Sequence, residues 1–122
     1  MALTREFKET IAARVGRDPA FREALLREGI EALLSGDLAT GKSILRDYIN
    51  ATLGFEALGA ATGIGTKSLM RMFGHDGNPQ AQNLFAVISH LQKHARVRVE
   101  VKTVRRRGGA AGRTPRAVAR AA

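Results

Sequence analysis

The chain has 122 residues and a formal net charge of +9, which is long enough for one compact domain with a real core. It contains no cysteine, which excludes a disulfide framework, a thiolate metal site and a cysteine nucleophile. The sequence has no N-terminal apolar run of the length that a signal peptide or a membrane span requires. We therefore expect a cytoplasmic protein that does not contact a membrane.

The positive charge is concentrated near the C-terminus. Residues 1–95 hold 11 Lys and Arg against 10 Asp and Glu, whereas residues 96–122 hold nine against one. A basic tail binds many polyanions without sequence preference, so the total charge alone does not indicate DNA recognition. A specific function is therefore to be sought in the folded residues.

The composition favours an all-α fold, because Ala, Leu and Arg dominate and β-branched residues are few. Asp18 followed by Pro19 predicts a helix start, as does Asp37, and Gly29 inside the second helix predicts close packing against a neighbour. We expect five or six helices. The first helix is predicted to end at Gly16. The others are predicted to run from Pro19 to Gly36, from Asp37 to about Asn50, over Phe55–Thr62 and Thr66–Phe73, and from about Gln80 to Ala95.

These helices suggest a division of the chain into an N-terminal helical pair, residues 1–37, and a second unit, residues 38–95. After it, Val97, Val99 and Val101 alternate with charged residues, and this period of two predicts a short β-strand within residues 96–103. One chain cannot pair such a strand usefully by itself, so pairing across a dimer or with a partner is expected. Residues 104–122 contain too little apolar bulk to fold, which predicts a disordered basic tail.

The two short helices at Phe55–Thr62 and Thr66–Phe73 are separated by only three residues, which predicts a sharp helical corner. Gly59 would permit close approach of the two helices, and Gly63 would allow the turn. The side chains expected to hold the corner against the core are Leu58, Ile64, Leu69 and Met72.

With those side chains buried, the second helix of the corner presents a polar outer face, as the recognition helix of a DNA-binding corner does. Arg71 is suited to bidentate contact with guanine, and Lys67 to a base or a phosphate. Ser68, or a helix-end amide, suits a phosphate oxygen. The candidate DNA-binding residues are Thr66, Lys67, Ser68, Met70 and Arg71.

The residues of this stretch also resemble a known family. The run from Phe55 to Gly74, followed by Gly77-Asn78-Pro79 and a helix with Leu84, Val87, Ile88 and Leu91, resembles the lambda-repressor-like (Xre) helix-turn-helix domain. More narrowly, the segments at residues 45–49, 67–72 and 77–79 are similar to HigA-like antidote proteins of bacterial addiction modules. The similarity covers about residues 38–101.

The resemblance implies an antitoxin that binds its own operator as a homodimer, represses its operon and neutralises a RelE/ParE-like ribonuclease toxin. Residues 1–37 and the basic tail lie outside the shared motif, so it implies nothing about how a toxin is held. One position departs from the pattern: repressor-like domains often start the first motif helix with a glutamine that contacts phosphate, and here Phe55 occupies that place.

The sequence contains two other motifs that can mark a binding site. Residues 36–43 fit the Walker A pattern with Lys42, but a phosphate loop follows a buried strand, and the preceding residues have helical period. His90 and His94 are spaced to chelate zinc on one helix face, yet neither a neighbouring glutamate nor a cysteine completes such a site. We predict no enzymatic activity, no catalytic residue, no cofactor and no metal.

Two rival functions are compatible with the residues. One is a non-enzymatic helical protein-interaction adaptor whose corner only packs and whose basic tail binds acidic partners or RNA. The other is a plain DNA-binding regulator with no toxin partner.

Overall fold

In a computed structural model, residues 5–107 are described, and they form six helices with no β-strand among them. The expectation of an all-helical fold is confirmed for this part of the chain. The helices are α1 (Arg5–Arg17), α2 (Pro19–Leu34), α3 (Leu38–Ala51), α4 (Gly54–Thr62), α5 (Thr66–Met72) and α6 (Ala81–Ala95).

The junction between α1 and α2 is set by local capping. The side chain of Asp18 accepts a hydrogen bond of 3.1 Å from the Phe21 amide, and Pro19 takes the first helical position, where no amide donor is needed. The hydrogen bond from the Phe21 amide is the main reason that the pKa of Asp18 lies below the ordinary value of 3.8. Arg22 then donates to the Val15 carbonyl at 2.6 Å, so α2 satisfies the C-terminal end of α1.

Helices α2 and α3 pack closely, as Gly29 predicts. A Cβ atom at Gly29 would lie 2.8 Å from Cδ2 of Leu45, so a larger residue would force the buried Leu45 side chain to shift. Helix α1 also packs on α3, and its Val15 is buried.

One buried cluster connects the helices on both sides of residue 37. Leu26 and Ile30 from α2 belong to the same cluster as residues of α3, α4, α5 and α6, so α2 shares its core with the helices that follow residue 37. Its remaining members are Leu45, Tyr48, Ile49, Phe55, Leu58, Leu69, Met72, Phe73, Val87, Ile88 and Leu91.

The residues after α6 do not form the predicted strand in the single chain. Arg96 adopts a left-handed conformation and ends the helix, and residues 97–107 have no regular secondary structure. The reason is that a strand is defined by hydrogen bonds to a neighbouring strand, and residues 5–107 contain no second strand with which it could pair. Most of the predicted disordered tail, residues 108–122, lies outside the described part.

No helix within residues 5–107 combines the length and the apolar character that crossing a bilayer requires.

Candidate nucleic-acid interface

Helices α4 and α5 meet at the sharp corner that the sequence predicts, which we call the α4–α5 corner (Gly54–Met72). Gly63 ends α4 at φ 79° and ψ 7°, a left-handed conformation that glycine adopts without steric cost, and its amide donates to the Gly59 carbonyl at 2.8 Å. Only Ile64 and Gly65 then separate it from α5. The predicted role of Gly63 in the turn is confirmed.

The two helices approach each other most closely at Gly59. A Cβ atom there would lie 2.9 Å from the Ile64 carbonyl oxygen and 3.1 Å from Oγ1 of Thr66. Because the first of these atoms belongs to the backbone, even alanine would force the turn to move. Gly59 therefore fixes the distance between α4 and α5, as expected from the sequence.

The inner side of the corner is apolar and well packed. Leu58 and Leu69 are fully buried and Met72 nearly so. The rings of Phe55 and Phe73 lie 6.1 Å apart at 51°, which is a favourable tilted arrangement of aromatic rings. Phe55 is thus a core residue, and the phosphate contact that a glutamine would offer at this position is replaced by packing.

The outer side of the corner carries the five candidate residues. Lys67, Ser68, Met70 and Arg71 are exposed, and Thr66 is half-buried against the turn. Met70 is 54% exposed, although it is a large apolar side chain. Helix α5 contains no acidic residue, so its outer face combines two cations, two hydroxyls and one thioether on less than two helical turns. All five side chains belong to one short helix, whose inner face is buried.

Lys42 fixes the chain just after α5. Its ammonium group, in a residue only 5% exposed, donates to the carbonyl oxygens of Gly74 at 2.8 Å and Gly77 at 2.7 Å. One turn further along α3, Arg46 donates weakly to the Phe73 carbonyl at 3.5 Å. Cations at this position also suit the negative end of the α5 dipole. Helix α3 therefore positions the C-terminal end of α5.

This contact gives Lys42 a role that the sequence pattern does not indicate. Lys42 belongs to the Walker A-like run at residues 36–43, which its helical context argues against, and its ammonium group is bound to two backbone carbonyls. The residues before Gly36 belong to a helix rather than to a strand, as the periodicity predicts. Sequence reasoning missed this anchor because its acceptors are backbone atoms 32 and 35 residues away.

The histidines lie away from a metal-binding arrangement. His94 and His75 are exposed, and Nδ1 of His75 lies 3.0 Å from a carboxylate oxygen of Asp76. His90 is half-buried on α6. Within the described chain, no three His, Asp or Glu side chains are grouped so as to hold a metal ion.

A cavity of about 370 Å³ lies apart from the corner, at the C-terminal ends of α1, α3 and α6. The Tyr48 hydroxyl is buried nearby without a hydrogen-bond partner among the described residues, and burial raises the pKa of this phenol above 10.0. None of the lining residues comes from α4 or α5: they are Val15, Gly16, Arg22, Tyr48, Ala51, Thr52, His94, Ala95 and Arg96.

Comparison with known proteins adds no assignment: no family model, no curated protein and no solved structure matches this chain.

Proposed function

We propose that the chain is a sequence-specific DNA-binding transcriptional regulator in which the α4–α5 corner is a helix-turn-helix and α5 is the recognition helix. The observation that carries the proposal is the outer face of α5. There, Lys67, Met70 and Arg71 are exposed on a helix whose opposite side is anchored by fully buried Leu69.

The chemistry of this face fits the major groove of B-DNA. The guanidinium of Arg71 matches the two acceptors of guanine, and Met70 offers an apolar contact of the kind that the thymine methyl group accepts. Lys67 precedes Arg71 by one helical turn and reaches a base edge or a phosphate. Thr66 and Ser68 lie at the start of the helix, where they would contact the DNA backbone. The set combines base readout with phosphate contacts.

The rigidity of the corner supports the same proposal. Base readout requires side chains held to within a fraction of an ångström by packed surroundings. Gly59 fixes the spacing between α4 and α5, and Lys42 fixes the carbonyls that follow α5.

A single α5 reads too few base pairs for a unique site, so the functional unit in this proposal is a two-fold dimer. Its two recognition helices would contact half-sites about 34 Å apart, one turn of DNA. The basic residues after α6 would add affinity that does not depend on sequence.

The test is a gel-shift titration with a labelled fragment from upstream of the operon, in excess non-specific competitor DNA. We expect saturable binding by the wild type and loss of sequence preference in the Lys67→Ala/Arg71→Ala variant. Each lost base contact should weaken specific binding by about 1–3 kcal/mol. Circular dichroism should show an unchanged helical fold, because both side chains are exposed.

A matched control removes the same charge elsewhere. Arg27 on α2 and Lys93 on α6 are both exposed, and the Arg27→Ala/Lys93→Ala variant loses two cations without altering α5. It should keep its sequence preference. Equal, salt-sensitive binding by the wild type and both variants would contradict the proposal and favour an adaptor with a polyanion-binding tail.

We further propose that this regulator is the antitoxin of a type II toxin-antitoxin module, which represses its own operon and binds a RelE/ParE-like toxin. This step is supported by the resemblance to HigA-like antidotes. Co-expression with the product of the adjacent short reading frame tests it: we expect a stable complex and rescue of growth from the toxin. A plain regulator would bind the operator but neither bind nor neutralise that product.

A further inference from the structure

The segment Val97–Val101, which we call the C-terminal arm, follows α6 and lies along the core. Val97 and Val99 are half-buried and pack against the buried cluster, while Arg98 and Glu100 are exposed. Alternate burial is what an extended segment with one covered face shows. The arm therefore has the pattern of a strand but lacks a neighbouring strand.

Hydrogen bonds show which edge of the arm is open. The Val97 amide donates to the Gln92 carbonyl at 3.0 Å, and the Val99 amide donates to Oε1 of Gln92 at 2.8 Å. Both amides thus point towards α6 of the same chain. The Arg98 and Glu100 amides, which alternate with them, have no acceptor among the described residues. In an extended segment these amides face the opposite, outer edge.

We infer that two copies of this chain associate by antiparallel pairing of their C-terminal arms, with the two-fold axis at Val99. The inference rests on the dimer of the proposed function and specifies its interface. Arg98 and Glu100 of one copy would exchange backbone hydrogen bonds with Glu100 and Arg98 of the other. Val99 would face its own counterpart in a close, non-hydrogen-bonded pair.

Among registers centred on an interior residue of the arm, residues 98–100, charge and apolar patterning favour this one. Centring the pair on Val99 places Arg98 opposite Glu100 twice, and Val97 opposite Val101 twice. Centring it on Arg98 or on Glu100 would put two like charges directly opposite each other, which is unfavourable. Shifting one arm by a single residue relative to the other would place valines opposite charged residues, on the wrong face.

The pairing also accounts for the exposure of Val101 and for the open outer edge of the arm in the single chain. Val101 is 79% exposed, and in this register it lies beside Val97 of the second copy. An unpaired strand edge with apolar residues is a site at which another chain adds. Arg96 limits the ribbon, since its left-handed conformation ends α6 and is not extended.

The charge pattern permits a test by mixing two variants of the full chain, measured by sedimentation equilibrium without DNA. Arg98→Glu makes both facing residues acidic, and Glu100→Arg makes both basic. Each variant alone should associate about tenfold more weakly than the wild type, because two cross-strand attractions become repulsions. Mixed together, they should form a heterodimer of nearly wild-type affinity.

Mixing separates this interface from a role within one chain. Arg98 and Glu100 also form an exposed ion pair of 2.8 Å in the same chain, and mixing cannot repair a defect confined to one chain. A monomeric wild type, unchanged association of both variants, or a mixture no tighter than either variant alone would each overturn the inference. A dimer weakened by Phe85→Ala but unaffected by the charge variants would place the interface on the exposed Phe85 face of α6 instead.

The absence of native cysteine allows a test of the register. Under mild oxidation, Val99→Cys should form a disulfide-linked dimer, because its two copies face each other in a non-hydrogen-bonded pair. Val97→Cys is the matched control and should remain largely uncrosslinked, since it faces Val101. The reverse pattern would refute the register. Because these tests contain no DNA, a result that contradicts pairing of the arms is distinguishable from a result that contradicts DNA reading by α5.

Discussion

Helices α4 and α6 end in the same way, but the chain that follows them differs. Gly63 ends α4 at φ 79°, and Arg96 ends α6 at φ 60°, so both residues are left-handed. After Gly63 the chain enters another helix within three residues, whereas after Arg96 residues 97–107 form no regular secondary structure. The local termination signal is therefore not what determines the structure that follows it.

The difference lies in the contacts available within one chain. The α4–α5 corner is held by the close approach at Gly59 and by buried Leu69, and Lys42 holds the chain after it. The C-terminal arm is held mainly by Gln92 and by two half-buried valines, and its outer edge is open. One region completes its hydrogen bonding and packing within the chain, whereas the other has an outer edge with no hydrogen-bond partner among the described residues.

The largest effect is expected from removing the anchor of the corner. Lys42→Met keeps an unbranched side chain that lacks only the terminal ammonium position, and it leaves the Gly74 and Gly77 carbonyls without their donor. We expect a loss of about 3 kcal/mol in the free energy of unfolding, because two hydrogen bonds from a charged donor are removed at a half-buried site. Urea denaturation measures it, with exposed Lys93→Met as the control. A loss below about 0.5 kcal/mol, the range of ordinary surface substitutions, would mean that Lys42 is not an anchor.

A smaller effect is expected from widening the corner. Gly59→Ala places a Cβ atom 2.9 Å from the Ile64 carbonyl oxygen, whereas Gly65→Ala meets only Oγ of Ser68 at 3.9 Å. We expect Gly59→Ala to cost about 2 kcal/mol, as overpacking does, and Gly65→Ala to change stability much less. Thermal unfolding of both variants compares them directly. Equal losses of stability in the two variants would show that the close approach of α4 to α5 does not restrict the side chain at residue 59.

The smallest effect is expected from exchanging the residue types at the two helix ends. Gly63→Ala puts a side chain in a left-handed conformation with no atom within 4 Å, so only backbone strain opposes it, at a cost of about 1 kcal/mol. Arg96→Gly removes the corresponding strain and should stabilise the chain by up to about 1 kcal/mol. Chemical denaturation should therefore show opposite signs; effects of the same sign would contradict the equivalence of the two ends.

Much of the helical layout could be predicted because its causes are local. Asp18 caps α2 through an amide three residues away, and Gly63 ends α4 through a carbonyl four residues away. The outer face of α5 follows from the same helical period, since burial of Leu69 and Met72 leaves Lys67, Met70 and Arg71 exposed. Contacts within one or two turns can be recognised in a sequence without knowledge of the fold.

The support of the candidate site could not be predicted in this way. Phe55 occupies a place where the repressor-like pattern has a phosphate-binding glutamine, and only the packing against Phe73 shows that it is a core residue. Lys42 lies in a Walker A-like run that its helical context argues against, and only its carbonyl partners show the structural role that it has instead. Neither role leaves a periodic or neighbouring signal.

The sequence by itself therefore indicated an all-helical chain of five or six helices, the caps at Asp18 and Asp37, the turn at Gly63 and the exposed face of α5, because short-range hydrogen bonds and helical periodicity define them. Only the tertiary structure decided that Lys42 is buried against carbonyls 32 and 35 residues away, and that the valines after α6 lie on the core without forming a strand. Both outcomes depend on which distant groups are brought within hydrogen-bonding or packing distance, and the local pattern of a sequence does not specify that.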